Sequence, residues 1–281
     1  MSFLDRIREC NQVNLRRFRP FIVVGAQVGY VRTDIAALLK YFRDTFDVTR
    51  EAVILSPDLA DFDERSAAMK PVVEALVEDG AITKPRGELY PVATHFTAAP
   101  LMALERAAVP AFGVRAYGVH MNGFVQRKGG IEMWIGFRAK DKPTFPGMLD
   151  NMVAGGQPIG ISLQENLIKE CAEEAAIPRE LAILATSVGA ITYRTESTEG
   201  LKPDVQFCYD LELPADFVPR NTDGEIEHFE LWPIEQVMET VAETTKFKFN
   251  CNLVIIDFLV RHGLIPPDDP DYLEIVRGLR Q

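Results

Sequence analysis

Glu170, Glu173 and Glu174 stand at positions i, i+3 and i+4 in the stretch "GGQPIGISLQENLIKECAEEAAIP", Gly155 to Pro178. On a helix that spacing puts all three carboxylates on one flank, and like charges four residues apart destabilise the helix that carries them. A cation would offset the repulsion. Three clustered carboxylates offer the hard oxygen ligands that Mg²⁺ or Mn²⁺ takes. Such an ion neutralises a diphosphate, polarises its phosphorus and lowers the pKa of a bound water. Glu170, Glu173 and Glu174 are therefore the candidate metal ligands, with Glu173 and Glu174 also candidates for the catalytic chemistry. Gly155 and Gly156, just upstream, lack the side chains that would keep a ligand off the backbone, so they are read as substrate-binding.

The helix itself is delimited by its sequence. Ser162 and Glu165 form an S-x-x-E capping box that starts it near Leu163, and Pro178 ends it near Ala176. Leu167, Ile168, Cys171, Ala172 and Ala175 share a side that should pack on a sheet, which makes Cys171 a core residue rather than a nucleophile. Glu165 and Lys169 are spaced for an i,i+4 ion pair.

Other chemistry-bearing residues lie outside this helix. "NTDGEIEHFE" offers Asp223, Glu225 and Glu227. In an alternating strand Glu225 and Glu227 share a face, and either could act as a base or extra ligand. Arg138, Lys140 and Lys142 form a basic cluster in which Arg138 is best suited to a bidentate grip on a diphosphate. His120 and Asn122 alternate in "GVHMNGF" and would share a face lining the ligand cleft. Trp134, Trp232 and Tyr209 are placed in the core, although each could stack on a ring.

The elements that must carry these residues divide the chain near 113/114. Residues 1–113 mix helices and short strands: a helix over 1–19, a hairpin in "FIVVGAQVGYV", helices in "TDIAALLKYF" and "SAAMKPVVEALVEDG", strands at "AVILS" and "LYPVA", and a helix through "AAPLMALERAAVPAFG". No catalytic constellation is visible there. Residues 114–281 alternate strands and helices, from the hairpin around "KGG" to a last short helix. The fold class expected is α+β. The net charge of −11 argues against nucleic acid as a partner. The apolar stretch near the start is too short to span a bilayer, so no membrane is expected either. The first residues lack the pattern of a signal peptide, and the four cysteines are widely spaced without a CxxC. A cytoplasmic protein is the resulting expectation.

The stretch from Gly155 to Ile177 resembles the Nudix box: Gly, five residues, Glu, seven residues, Arg-Glu, an aliphatic, any, Glu-Glu, any, Gly, an aliphatic. Glu170, Glu173 and Glu174 fall on its metal-binding glutamates. Lys169 stands at its Arg, Ala176 at its last Gly, and Ile161 or Ser162 at its first Glu. The segments "YGVHMNGFV", "KPTFPGMLDNMVAGG", "YDLELP" and "DGEIEHFEL" are similar to a Nudix subgroup with an N-terminal domain of uncharacterised role, related to the Nudix half of proteins fused to thiamine pyrophosphokinase. The resemblance implies an N-terminal mixed domain followed by a Nudix α/β/α sandwich with a mixed sheet. It also implies hydrolysis of a small-molecule diphosphate, thiamine diphosphate or its oxidised forms, to the monophosphate. Two alternatives stay open: a hydrolase of ADP-ribose or NDP-sugars, and a non-catalytic metabolite sensor. A homodimer is likewise left open.

Overall fold

The computed structural model describes residues 2–141 and 144–281. The first half begins with α1 (Phe3–Glu9), held by a capping box between Ser2 and Asp5. A hairpin follows, β1 (Phe18–Val23) and β2 (Ala26–Arg32), then α2 (Thr33–Leu39), β3 (Phe46–Val48), β4 (Val53–Leu55) and α3 (Phe62–Glu78). The half closes with β5 (Leu89–Val92), β6 (Met102–Glu105) and the single turn α4 (Val109–Phe112). Strands β2-β1-β4-β3 form a four-stranded sheet, and β5 and β6 pair as a separate antiparallel ribbon. Buried Phe21, Phe46 and Phe112 meet at its centre.

Two expectations fail here. The helix foreseen over 1–19 ends at Glu9, because Asn11 and Asn14 are poor helix residues and the chain then buries Phe18, Phe21 and Val23 as a strand. The helix foreseen through 98–113 is strand β6 over its first part, since a short apolar run lacks a decisive period and β5 supplies a ladder partner.

The second half runs β7 (Tyr117–Arg127), β8 (Gly130–Arg138), β9 (Leu149–Asp150), β10 (Val153–Gly156), α5 (Leu163–Ala175) and α6 (Arg179–Ala182). It continues with β11 (Thr186–Thr192), β12 (Thr195–Ser197), β13 (Gly200–Lys202), β14 (Val205–Glu212) and β15 (Ile226–Pro233). Helices α7 (Ile234–Glu243), α8 (Phe249–Arg261) and α9 (Tyr272–Gly278) end it. The main sheet has the order β11-β14-β7-β8-β15, with β10 added to β7 and β9 to β8. The β14–β7 pair is parallel and the other ladders are antiparallel, so the sheet is mixed.

Alternation along the strands divides this sheet's side chains between two layers. Val119, Met121, Trp134 and Tyr209 pack with α5, whereas Phe124, Met133, Ile135 and Cys208 pack with α7, α8 and α9. The result is the expected α/β/α sandwich. Helix α1 joins the second layer: Leu4, Ile7 and Cys10 are buried in one cluster with Leu253, Phe258 and Ile275. The first element in sequence thus packs with the last ones.

Helix α5 spans the residues its capping signals foresaw. It ends in a left-handed cap at Ala176 (φ 53°, ψ 33°), and the N–H of Ile177 bonds back to the Cys171 carbonyl. A left-handed cap favours glycine, and alanine is strained there. Ala176→Gly should therefore stabilise the fold by about 1 kcal/mol, raising Tm by about 2 °C in a thermal denaturation experiment.

Candidate active site

The box helix is bound to the glycine strand at several points. Ser162 accepts the Glu165 N–H at its first turn. Asn166, fully buried, donates to the Gly156 carbonyl at 2.8 Å and to Gln157 at 3.1 Å. Near the other end the Glu174 carboxylate accepts the Ala154 N–H at 2.8 Å. Glu170 lies against Gly155 so closely that a Cβ there would overlap its carboxylate.

Burial sets the charge state of these acids. Glu174 is 5% exposed, and desolvation raises its pKa well above that of a free carboxyl. The carboxylates of Asp150, Glu170 and Glu225 push it the same way. Desolvation also raises Glu170. Glu173 points outward. Lys169 joins the two outer acids, its Nζ 3.1 Å from Glu170 and 2.8 Å from Glu173. The expected Glu165–Lys169 pair does not form. Glu165 is taken by Arg179 in a bidentate bridge of 2.8 and 3.0 Å, which has the better donor geometry.

A cleft of about 570 Å³ opens beside this helix. Glu170, Glu173, Glu174, Gly155 and Gly156 line it, as do Arg138, His120 and Glu225. Arg138 spends its guanidinium on Asp150 (2.8 Å) and on the carbonyls of Thr144 and Phe145 (3.1 and 3.2 Å). Lys142, foreseen beside it, lies outside the described residues. His120 bonds to Asn151 at 2.9 Å, and burial lowers its pKa to about 4, leaving it uncharged.

Two candidates fall away from the cleft. Asn122 is buried in a polar network between Asn151 and Asp210, on the sheet face toward α8. Glu227 sits at an irregularity between Ile226 and His228, where β15 shifts register against β8, so it does not share a face with Glu225. Glu227 is exposed and Glu225 lines the cleft.

Several residues of the cleft carry no signal in their local sequence. Lys248 reaches it from the start of α8, 3.5 Å from Asp150. Asp204, between β13 and β14, accepts the Tyr193 hydroxyl at 3.0 Å, and burial raises its pKa to about 6. Tyr90 and Arg106 come from the first half of the chain. Only the tertiary fold collects these positions.

The donor set suits a hard divalent cation, since desolvation disfavours the charged forms of Glu174 and Glu170 and a nearby positive charge would offset that cost. Among the described residues, no group of three or more acidic, His or Cys side chains is already arranged around a common ion position. The Lys169 ammonium occupies the space between Glu170 and Glu173 instead.

Residues 2–116 match a family described as "Domain of unknown function (DUF4743)". Nudix hydrolase 20, chloroplastic, of Arabidopsis thaliana is 45% identical over 290 residues, covering 99% of this chain and 78% of the relative. Nudix hydrolase 24, chloroplastic, of the same plant is 45% identical over 283 residues, with the same coverage of 99% and 78%. Among solved structures, the Nudix domain of Shewanella oneidensis NrtR complexed with ADP ribose aligns at 15% identity and a TM-score of 0.42. That alignment covers 54% of this chain and 91% of the other. No helix among the described residues is long and apolar enough to cross a membrane.

Asp204 gives a pH test of the cleft. Its folded pKa lies above the unfolded value, so the folded state holds the extra proton and stability falls as pH rises from about 4 to about 6. Asp204→Asn keeps an acceptor for Tyr193 and removes the titration. The variant should be more stable than the parent at pH 7, by on the order of 3 kcal/mol, and the difference should fade as pH drops below about 4 in denaturant titrations.

Proposed function

The chain belongs to the Nudix hydrolase family, and from that membership we propose that it hydrolyses thiamine diphosphate or its oxidised forms to the monophosphate. The observation that carries the reading is the pair of carboxylates, Glu174 buried and Glu170 half-buried, set against the glycine strand at the edge of an open cleft. Glu170, Glu173 and Glu174 would hold Mg²⁺ or Mn²⁺, which when bound supplies charge neutralisation and an activated water.

The remaining roles fall to side chains that line the cleft. Gly155 and Gly156 leave their backbone open to a phosphate. Glu225 takes the proton of the attacking water as oxygen bonds to phosphorus and the bond to the bridging oxygen breaks. Orthophosphate and the monophosphate leave. Lys248 contributes positive charge toward the phosphates, and Arg138 orders the Thr144–Phe145 backbone at the rim. His120, uncharged, does not compete for the anion.

The four cysteines are free and buried, which suits a reducing compartment. We keep the cytoplasm as the place for this chain, while the printed names of the two plant relatives give the chloroplast.

The test is release of orthophosphate and monophosphate from thiamine diphosphate, its oxidised forms, ADP-ribose and NDP-sugars, with Mg²⁺ or Mn²⁺. Turnover of the thiamine compounds should vanish with EDTA and fall by about 100-fold or more in Glu173→Gln. Turnover of ADP-ribose or NDP-sugars alone would discard the substrate and keep the chemistry. Tight binding without turnover of any compound would favour a sensor.

A further inference from the structure

The first half of the chain, matched to a domain of unknown function, touches the box strand directly. A Cβ at Gly156 would overlap the Tyr90 hydroxyl, and the Arg106 guanidinium carbon would lie 3.6 Å from it. Ile159, in the loop that leads to α5, donates its N–H to the Leu89 carbonyl of β5 at 2.9 Å. The β5–β6 ribbon is therefore hydrogen-bonded to the glycine loop itself.

This contact is not a dry seam. Arg86, Tyr90 and Arg106 line the same cleft as Glu170, Glu173 and Glu174. Arg106 pairs with Glu88 at 2.7 Å and lies 5.8 Å from the Tyr90 ring centre, yet its side chain keeps 37% of its surface exposed. Burial pushes the Tyr90 hydroxyl up to about 12, so it remains a proton donor. One N–H fork and one O–H thus stand beside the glycine pair, facing a cleft that is lined by the carboxylates of the box helix and, farther off in the chain, by Lys202 and Lys248.

We propose that the N-terminal half forms one wall of the substrate site, with Arg106 and Tyr90 binding the phosphate groups of a diphosphate ligand next to Gly156. The proposal deepens the hydrolase reading and rests on it for the identity of the site. A planar guanidinium oriented by Glu88 and Tyr90 matches the paired oxygens of a phosphate. It also bears on charge: the acidic helix repels an anionic substrate, and Arg106, beside Gly156, adds to the positive charge that offsets that repulsion. These two are substrate-binding residues; no proton transfer is assigned to them.

The experiment compares the full-length chain with Arg106→Gln and Tyr90→Phe. Methylenediphosphonate, a diphosphate that cannot be hydrolysed, is titrated with Mg²⁺ present, and KM, kcat and Tm are measured alongside. Arg106→Gln should weaken probe binding and raise KM by about tenfold, with a smaller change in kcat and an unchanged Tm. Tyr90→Phe should shift both in the same direction by less. Unchanged probe affinity and KM in Arg106→Gln would overturn the proposal, as would a fall in Tm with affinity preserved. If Arg106→Gln does not fold, Arg106→Lys is read instead, because it keeps the charge and loses the fork. Affinity and KM equal to the parent's in that variant would also overturn the proposal. Absence of turnover in the parent would sink the hydrolase reading alone, since the probe titration reports on Arg106 without catalysis.

Discussion

Two missing side chains hold this site in shape. Gly155 and Gly156 are consecutive residues of one strand, so their absent side chains would have pointed to opposite faces. On one face the space is taken by the Glu170 carboxylate, and on the other by the Tyr90 hydroxyl. The strand is therefore clasped between the box helix and the N-terminal half: a methyl group on Gly155 would keep the helix off, and one on Gly156 would keep the N-terminal half off. Asn166 and Gln157 complete the clasp by satisfying the polar backbone that such a close approach buries.

Around that clasp the protein keeps two kinds of buried acid. Asp150 is compensated: burial works against its charge, but Lys248 and Arg138 hold its pKa down at about 2. It serves as a fixed anchor, tying α8 to the loop at the rim and accepting the Cys251 thiol as well. Glu174 and Asp204 are the opposite case, with burial dominating and their pKa values raised. Groups of the second kind cost stability and are found where a ligand or a reaction needs them. The cleft is thus bordered by a settled network on the α8 side and by acids held in an unfavourable state elsewhere.

Much of this was legible in the sequence, for physical reasons. Helix α5 announced its start through Ser162 and its end through Pro178, and its acidic flank through the i, i+3, i+4 spacing. The strands of the second half alternated clearly enough to be placed. What escaped were matters of distance along the chain. Glu165 found Arg179 rather than Lys169, a partner beyond helical spacing. Glu227 was turned away by a register shift that no pattern of types foretells. Asn122 faces a layer whose identity depends on which helix packs there. Tyr90, Arg106, Asp204 and Lys248 reach the cleft from four separate elements, so no local motif gathers them.

Helix α1 adds a constraint of connectivity. The chain starts in the core beneath α8 and α9, where Ile7 packs against Gly278, leaves to build the four-stranded sheet and its neighbours, and returns at β7. The N-terminal half is thereby strung between two covalent joints rather than hung from one. A cut made at a single point near residue 113 would not give a free Nudix sandwich; it would remove Leu4, Ile7 and Cys10 from the sandwich's interior and leave a groove along α8. Topologically the unit behaves as an insertion, and excising it cleanly requires splicing α1 directly onto the first strand of the larger sheet.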